Sequence, residues 1–242
     1  MKTIFKNISF KYEVLFLIVL NLIFLLIFAK IDLLELLYTY SQAHESYELD
    51  EIIPLFITIS ISLMIFSYRR LNESKELSSK LYYMANHDDL TDIFNRRYIN
   101  DALMIEFDRS QRTRSVFSLI LLDIDDFKKI NDNFGHQTGD KVLIKFSQML
   151  QKSIRKIDGL GRWGGEEFLI LCRDTDHEGA EVLAQKLIEW MHLFECDLVN
   201  SVTASMGVVT IKNESDIEAL FKRVDSALYD AKAQGKNQYI VG

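Results

Sequence analysis

Apolar residues are grouped along this chain in three ways, and each grouping predicts a different kind of element. Two uncharged blocks come first, "VLFLIVLNLIFLLIFA" at 14–29 and "IIPLFITISISLMIFS" at 52–67. Each approaches the length that crosses about 30 Å of hydrocarbon once its flanks are added. Phe10, Tyr12 and Ile31 extend the first; Tyr68 and the snorkelling Arg69 and Arg70 extend the second. The pattern predicts a two-helix transmembrane hairpin, at about 12–31 and 51–68, that makes residues 1–67 a membrane anchor. Lys2, Lys6 and Lys11 precede the first block and Arg69 and Arg70 follow the second. The connecting loop carries Asp32, Glu35, Glu45, Glu48, Asp50 and Glu51 with no Lys or Arg. Basic residues mark the cytoplasmic side, so both ends of the anchor are expected there and the short loop outside. No small-x-small site follows the first block, which favours a retained anchor over a cleaved signal peptide.

The second grouping is amphipathic. Residues 68–85 contain no Gly or Pro, and Leu71, Leu77, Leu81 and Met84 fall near one face. They predict a helical linker, either a stalk pairing with its copy or a plain spacer. From residue 86 the third grouping begins, in which helical and strand periods alternate. Helices are predicted at 95–112, 137–155, 177–194 and 215–233. Strands are predicted at 115–124, in a hairpin over 157–172, at 201–210 and at 238–242. That order predicts an α/β (α+β) domain over 86–242, a central, mostly antiparallel sheet flanked by helices.

Composition narrows the chemistry. The 242 residues carry a net charge of −7. An acidic chain is poorly suited to general nucleic-acid binding, so phosphates would have to be held locally, by a metal or a few placed lysines. The two cysteines, Cys172 and Cys196, have neither metal-site nor disulfide spacing and are expected as reduced thiols in or near the core.

Two acidic clusters stand out. "LLDIDDFKKIND" places Asp123, Asp125 and Asp126 where a buried strand stops, and "GRWGGEEFLI" places Glu166 and Glu167 after Gly164 and Gly165 at a hairpin tip. Alone, the first cluster reads as helix capping, with Asp125 or Asp126 capping a helix that starts at Phe127. Together they read differently. If the hairpin lies beside strand 115–124, Asp123 and Glu166 converge into a hard-oxygen site of the kind Mg²⁺ takes. Glycines at the tip let a ligand approach the backbone closely. Lys128, Lys232 and Lys236 then lie within reach of the same phosphates, the equipment of phosphoryl or nucleotidyl transfer.

These residues resemble the GGDEF, or diguanylate cyclase, family. "GGEEF" (164–168) resembles the name-giving motif, in the acidic variant that the family treats as active. "DDLTDIFNRR" (88–97), "DIDDFKKINDNFGHQTGD" (123–140), "VTASMGV" and "VDSALYDAKAQGKNQ" are similar to the family's other segments, in family order, across 86–242. The resemblance implies a palm-like fold related to nucleotide cyclases, and condensation of two GTP into cyclic di-GMP with release of two pyrophosphates. It implies a metal, Mg²⁺ or Mn²⁺, on Asp123, the Ile124 carbonyl and Glu166, and guanine read by Asn131 and Asp140 with His136 nearby. Lys128, Lys232 and Lys236 would serve the phosphates, and Glu166 or Glu167 would deprotonate the attacking hydroxyl. Arg155 and Asp158, five residues or so ahead of Gly164, match the spacing of an inhibitory site for cyclic di-GMP. Because the product joins two nucleotides, a homodimer is implied; with the anchor, so is a multi-pass place among the lipids of a bacterial inner membrane. Two positions depart from the usual pattern, Lys236 where Arg is common and Asp92 where Gly is common. The competing reading is a domain that binds nucleotide without turnover; the retained acids and glycines favour catalysis.

Overall fold

A computed structural model describes residues 49–192, 196, 199, 201–212, 214 and 216–242, with a few isolated positions before residue 49. The chain divides into two compact units, Met1–Glu76 and Leu77–Gly242. Helix α1 runs from Leu49 to Asn86. In the first unit its large apolar side chains, among them Phe56, Met64 and Phe66, are exposed. Among the described residues no helix is long and apolar enough to cross a membrane. The second expected span is therefore not met within the described part of α1, where the apolar run gives way to Arg69 and Arg70. The first, at about 12–31, lies almost wholly outside the described residues.

The second unit continues with α2 (Arg96–Thr113), β1 (Phe117–Ile124), α3 (Phe127–Phe134), α4 (His136–Ser153), β2 (Gly159–Arg162) and β3 (Glu167–Arg173). After these come α5 (His177–His192), β4 (Ala204–Thr210), α6 (Ile217–Ala233) and β5 (Tyr239–Val241). The strands form one sheet in the order β2-β3-β1-β4-β5. Strand β1 is central and buried along its whole length, as its unbroken apolar run predicts. It pairs antiparallel with β3 and with β4, and β2–β3 is the expected hairpin. Strand β5 lies parallel to β4, which the intervening α6 makes possible, since parallel neighbours need a crossover.

Alternation along the strands divides the core into two layers. Ile120, Leu122, Phe168 and Ile170 face Val142 and Phe146 of α4 and Ala184 and Leu187 of α5. Leu119, Leu121, Leu169 and Leu171 face Ile99 and Leu103 of α2 and Leu220 and Val224 of α6. Cys172 and Cys196 are both buried thiols outside any disulfide, and burial pushes the Cys172 thiol far up.

Helix α3 is absent from the expected element order. Eight residues between two breaks give little periodicity to read: Asp126 before it has φ 53° and Gly135 after it has φ 81°. The capping reading of the aspartates also needs correction. Asp126 holds the N-cap position but makes no capping bond, and the Asp125 carboxylate is engaged elsewhere.

Candidate active site at the strand end and hairpin tip

The register of the sheet carries the site. Asp123, the last polar position of β1, sits opposite Glu167 on one side and Ser205 on the other. One residue on, the Ile124 N–H donates to the Glu166 carbonyl at 3.2 Å. The end of β1 and the hairpin tip are thus joined by the backbone itself. The tip closes when the N–H groups of Trp163 and Gly164 donate to the Glu167 carbonyl at 2.7 and 3.3 Å. A Cβ on Gly164 would lie 2.3 Å from Glu167 Oε2, whereas one on Gly165 would meet nothing within 4 Å. Close approach, not a left-handed backbone, is what Gly164 supplies.

Beside the tip opens a cavity of about 480 Å³ lined by Lys128, Asn131, His136, Asp140, Gly165 and Glu166, with Arg162 at its edge. Helix α3 contributes Lys128 and Asn131, and α4 contributes His136 and Asp140. Gly139 makes room between the two helices, because a Cβ there would lie 2.0 Å from Asn131 Oδ1. Lys232 and Lys236 come from the end of α6 and the turn after it. The Lys232 amine pairs with Asp123 Oδ2 at 2.8 Å, and the Lys236 amine pairs with Asp126 Oδ1 at 2.9 Å.

Three carboxyl groups crowd this corner. Burial pushes Asp123 up, and the Lys232 amine partly counters it. Glu166 is raised by burial and then by Asp123, and Glu167 by the same two causes in the same order. Carboxylates that raise one another in a half-buried site are relieved by a cation placed between them. Among the described residues no group of three or more His, Cys, Asp or Glu is arranged to hold a metal ion. Two carboxylates, Asp123 and Glu166, and the Ile124 carbonyl are the groups at this corner that could hold a cation. That set fits a hard divalent ion that completes its shell with water and phosphate oxygens.

Arg155 and Asp158 lie elsewhere, at the opposite end of the hairpin from the glycines. The Asp158 carboxylate accepts from the backbone N–H groups of Arg155 at 3.0 Å and Arg173 at 3.1 Å. Arg155 lines two further cavities, of about 470 and 210 Å³, that share no residue with the first.

The sequence pattern assigns no role to Arg162 or Gly139 and offers Asp125 only as a helix cap. The Arg162 guanidinium donates to the Gly165 carbonyl at 2.7 Å and to Asp88 at 3.0 Å, bracing the hairpin tip against the start of the domain. Its place two residues before the glycines was the available signal. Asp125 accepts from the hydroxyls of Thr203 and Ser205 at 2.8 and 2.7 Å, partners some eighty residues away that local pattern does not reveal.

Residues 85–238 match the family described as diguanylate cyclase, GGDEF domain. Over 210 residues the chain is 34% identical to the probable diguanylate cyclase DgcT of Escherichia coli (strain K12), an alignment covering 84% of this chain and 44% of that protein. The chain thus spans less than half the length of that relative. Among solved structures, the coiled coil and GGDEF domain of DgcB from Caulobacter crescentus, in complex with c-di-GMP, superposes with a TM-score of 0.68 at 25% identity. It covers 75% of this chain and 98% of that one. The active GGEEF domain of a diguanylate cyclase from Vibrio cholerae superposes with a TM-score of 0.59 at 35% identity, over 61% of this chain and 96% of that one. With the family's match spanning strands β1 to β4, the hairpin tip and the cavity beside it, this chain belongs to the GGDEF diguanylate cyclase family.

Proposed function

We propose that this chain is a diguanylate cyclase, joining two GTP into cyclic di-GMP and releasing two pyrophosphates. The observation that carries the reading is the bond from Ile124 to Glu166. It joins the end of β1 to the hairpin tip, where the Asp123 charge acts on the Glu166 carboxyl, beside a cavity lined by Lys128, Asn131, His136, Asp140 and Glu166. Asn131 and Asp140 offer the mixed donor and acceptor set that a guanine edge requires. Lys128 faces the α-phosphate, and Lys232 and Lys236 turn from their aspartates to the outer phosphates. Glu166 or Glu167 takes the proton from a 3′-hydroxyl; the freed oxygen forms a bond to the α-phosphorus of the second nucleotide while the bond to pyrophosphate breaks. Two such transfers close the ring. A divalent cation, Mg²⁺ or Mn²⁺, held by Asp123, the Ile124 carbonyl and Glu166, supplies charge neutralisation for the triphosphate and the departing pyrophosphate.

Each chain offers one nucleotide site, so the two 3′-hydroxyls meet their targets only when two domains face one another. The working form is a homodimer. Arg155 and Asp158 form the product-inhibition site; the cavities that Arg155 lines support this reading. The exposed apolar band of α1 and the Arg69–Arg70 pair after it support attachment of the chain to a lipid membrane.

The test is to incubate the full chain with GTP and Mg²⁺ or Mn²⁺ and assay cyclic di-GMP, with and without added product. Asp123→Ala and Glu166→Ala are each expected to lower turnover by at least about 10²-fold while leaving the fold intact. Arg155→Ala is expected to relieve inhibition by product. Undiminished turnover in the first two variants would refute the assignment of the acids.

A further inference from the structure

The acidic run after β1 does more than present Asp123. Each of its three carboxylates grips a different point of the segment that closes the domain. Asp123 holds the Lys232 amine and Asp126 holds the Lys236 amine. Asp125 takes the backbone just beyond them, accepting the Asn237 N–H at 3.0 Å on the oxygen that also receives the Thr203 hydroxyl. Its other oxygen receives the Ser205 hydroxyl, and its own N–H donates to the Thr203 carbonyl at 2.9 Å. The carboxylate is buried, at 6% exposure, and therefore keeps these partners away from water.

The segment it grips is conformationally unusual. Gly235, Lys236 and Asn237 follow one another with φ of 119°, 65° and 47°. Only glycine enters this region without cost, and asparagine tolerates it better than lysine does. A run of two such non-glycine residues persists only where surrounding contacts over-determine it. The Asn237 side-chain oxygen does not help, being buried without a hydrogen-bond partner. Two backbone bonds flank the turn, from Lys236 N–H to the Ala231 carbonyl and from Met206 N–H to the Gln238 carbonyl. At Asn237 the bond to Asp125 fixes the chain.

We propose that Asp125 is a positioning residue for the reaction. Its buried carboxylate fixes the turn Gly235–Asn237 and so delivers Lys236 to the outer phosphates of the nucleotide. It touches no reacting atom. The inference rests on the GTP-condensing reading of the site and adds to it a reason why an acid that neither lines the cavity nor pairs with a lysine sits in the middle of the motif.

The experiment uses the full chain and three variants, Asp125→Ala, Lys236→Ala and the two combined. Steady-state kinetics with GTP are measured beside hydrogen exchange of the backbone amides. In Asp125→Ala the amides of 235–238 should exchange at least about tenfold faster, while those of β1 and β3 stay protected. The KM for GTP should rise about tenfold, a change that loss of folded protein alone would not produce because it lowers only the active fraction. In the combined variant, kcat/KM should be no lower than in the worse single variant, because both act through the same amine. Fully additive losses, or unchanged exchange and KM in Asp125→Ala, would overturn the proposal. If Asp125→Ala does not fold, Asp125→Ser decides the matter. Its hydroxyl sits one bond short of the carboxylate oxygens and cannot reach the Asn237 N–H, so the turn should again exchange faster, and unchanged exchange there overturns the proposal too. Absence of cyclic di-GMP from the unaltered chain would refute the reading of the site, whereas an active chain indifferent to Asp125 refutes this inference alone.

Discussion

At Asp88 the balance of burial and hydrogen bonding can be followed group by group. Burial alone would push its carboxyl up. The Thr91 hydroxyl and N–H, at 2.7 and 3.0 Å, and the Arg162 guanidinium together outweigh that and hold it below its ordinary value. A carboxyl whose folded pKa is depressed contributes stability that is complete above the unfolded pKa and is lost as pH falls through the lower, folded one. Asp88→Asn should therefore lower the melting temperature near neutral pH by about 2–4 °C, the size expected of about 1 kcal/mol from a screened, partly exposed pair. Melts repeated down the acid range below the ordinary carboxyl value should bring variant and parent together. A difference that stayed constant to low pH would mean that charge on Asp88 is not what matters. The same scale explains why the Asp92 departure from the family's glycine is tolerated. Asp92 has φ 63°, where glycine is at ease, but aspartate is among the residues that visit this region and its carboxylate receives the Tyr83 hydroxyl.

Between elements, backbone comes close to backbone where α6 crosses β4. A Cβ on Gly207 would stand 2.2 Å from the Val224 carbonyl oxygen and 2.7 Å from the Leu228 nitrogen, both backbone atoms of the helix. Neither can swing aside as a side chain would, so Gly207→Ala must push the helix away from the sheet. Overpacking of this kind costs about 1–3 kcal/mol. Because α6 carries Lys232 at its end, cyclic di-GMP synthesis should fall further than the loss of folded protein explains. Chemical denaturation and kinetics on the same preparation check this; full activity per folded molecule would show that the helix regains its position. The hairpin shows how far patterns extend at this scale. Its two strands were readable from the glycines and the alternation around them. The bond from its tip to Ile124 was not, because pairing across strands far apart in sequence leaves no local period.

For the molecule as a whole, the proposed condensation asks for two copies. Residues 86–242 alone should make cyclic di-GMP at a rate per molecule that falls steeply on dilution, whereas the full chain, with α1 and the segments before it, should hold its rate to lower concentrations. In fractionated cells the full chain should sediment with membranes and the shorter one should not. Rates that are independent of dilution would count against a site assembled from facing halves, and a full chain found in the supernatant would count against the anchor.

The sequence by itself determined the order of strands and long helices, the central burial of β1, the hairpin and the identity of the acids and lysines. These follow from side-chain period, turn chemistry and residue type, all local properties of the chain. Only the tertiary structure decided that Asp123 and Glu166 share a corner and that Glu167 lies over Gly164. It alone placed Asp125 in the service of a turn more than a hundred residues away, and Arg162 between Asp88 and the hairpin tip. Such partners are set by sheet register and helix crossing, which depend on how the two core layers pack at once; no stretch of sequence contains that information alone.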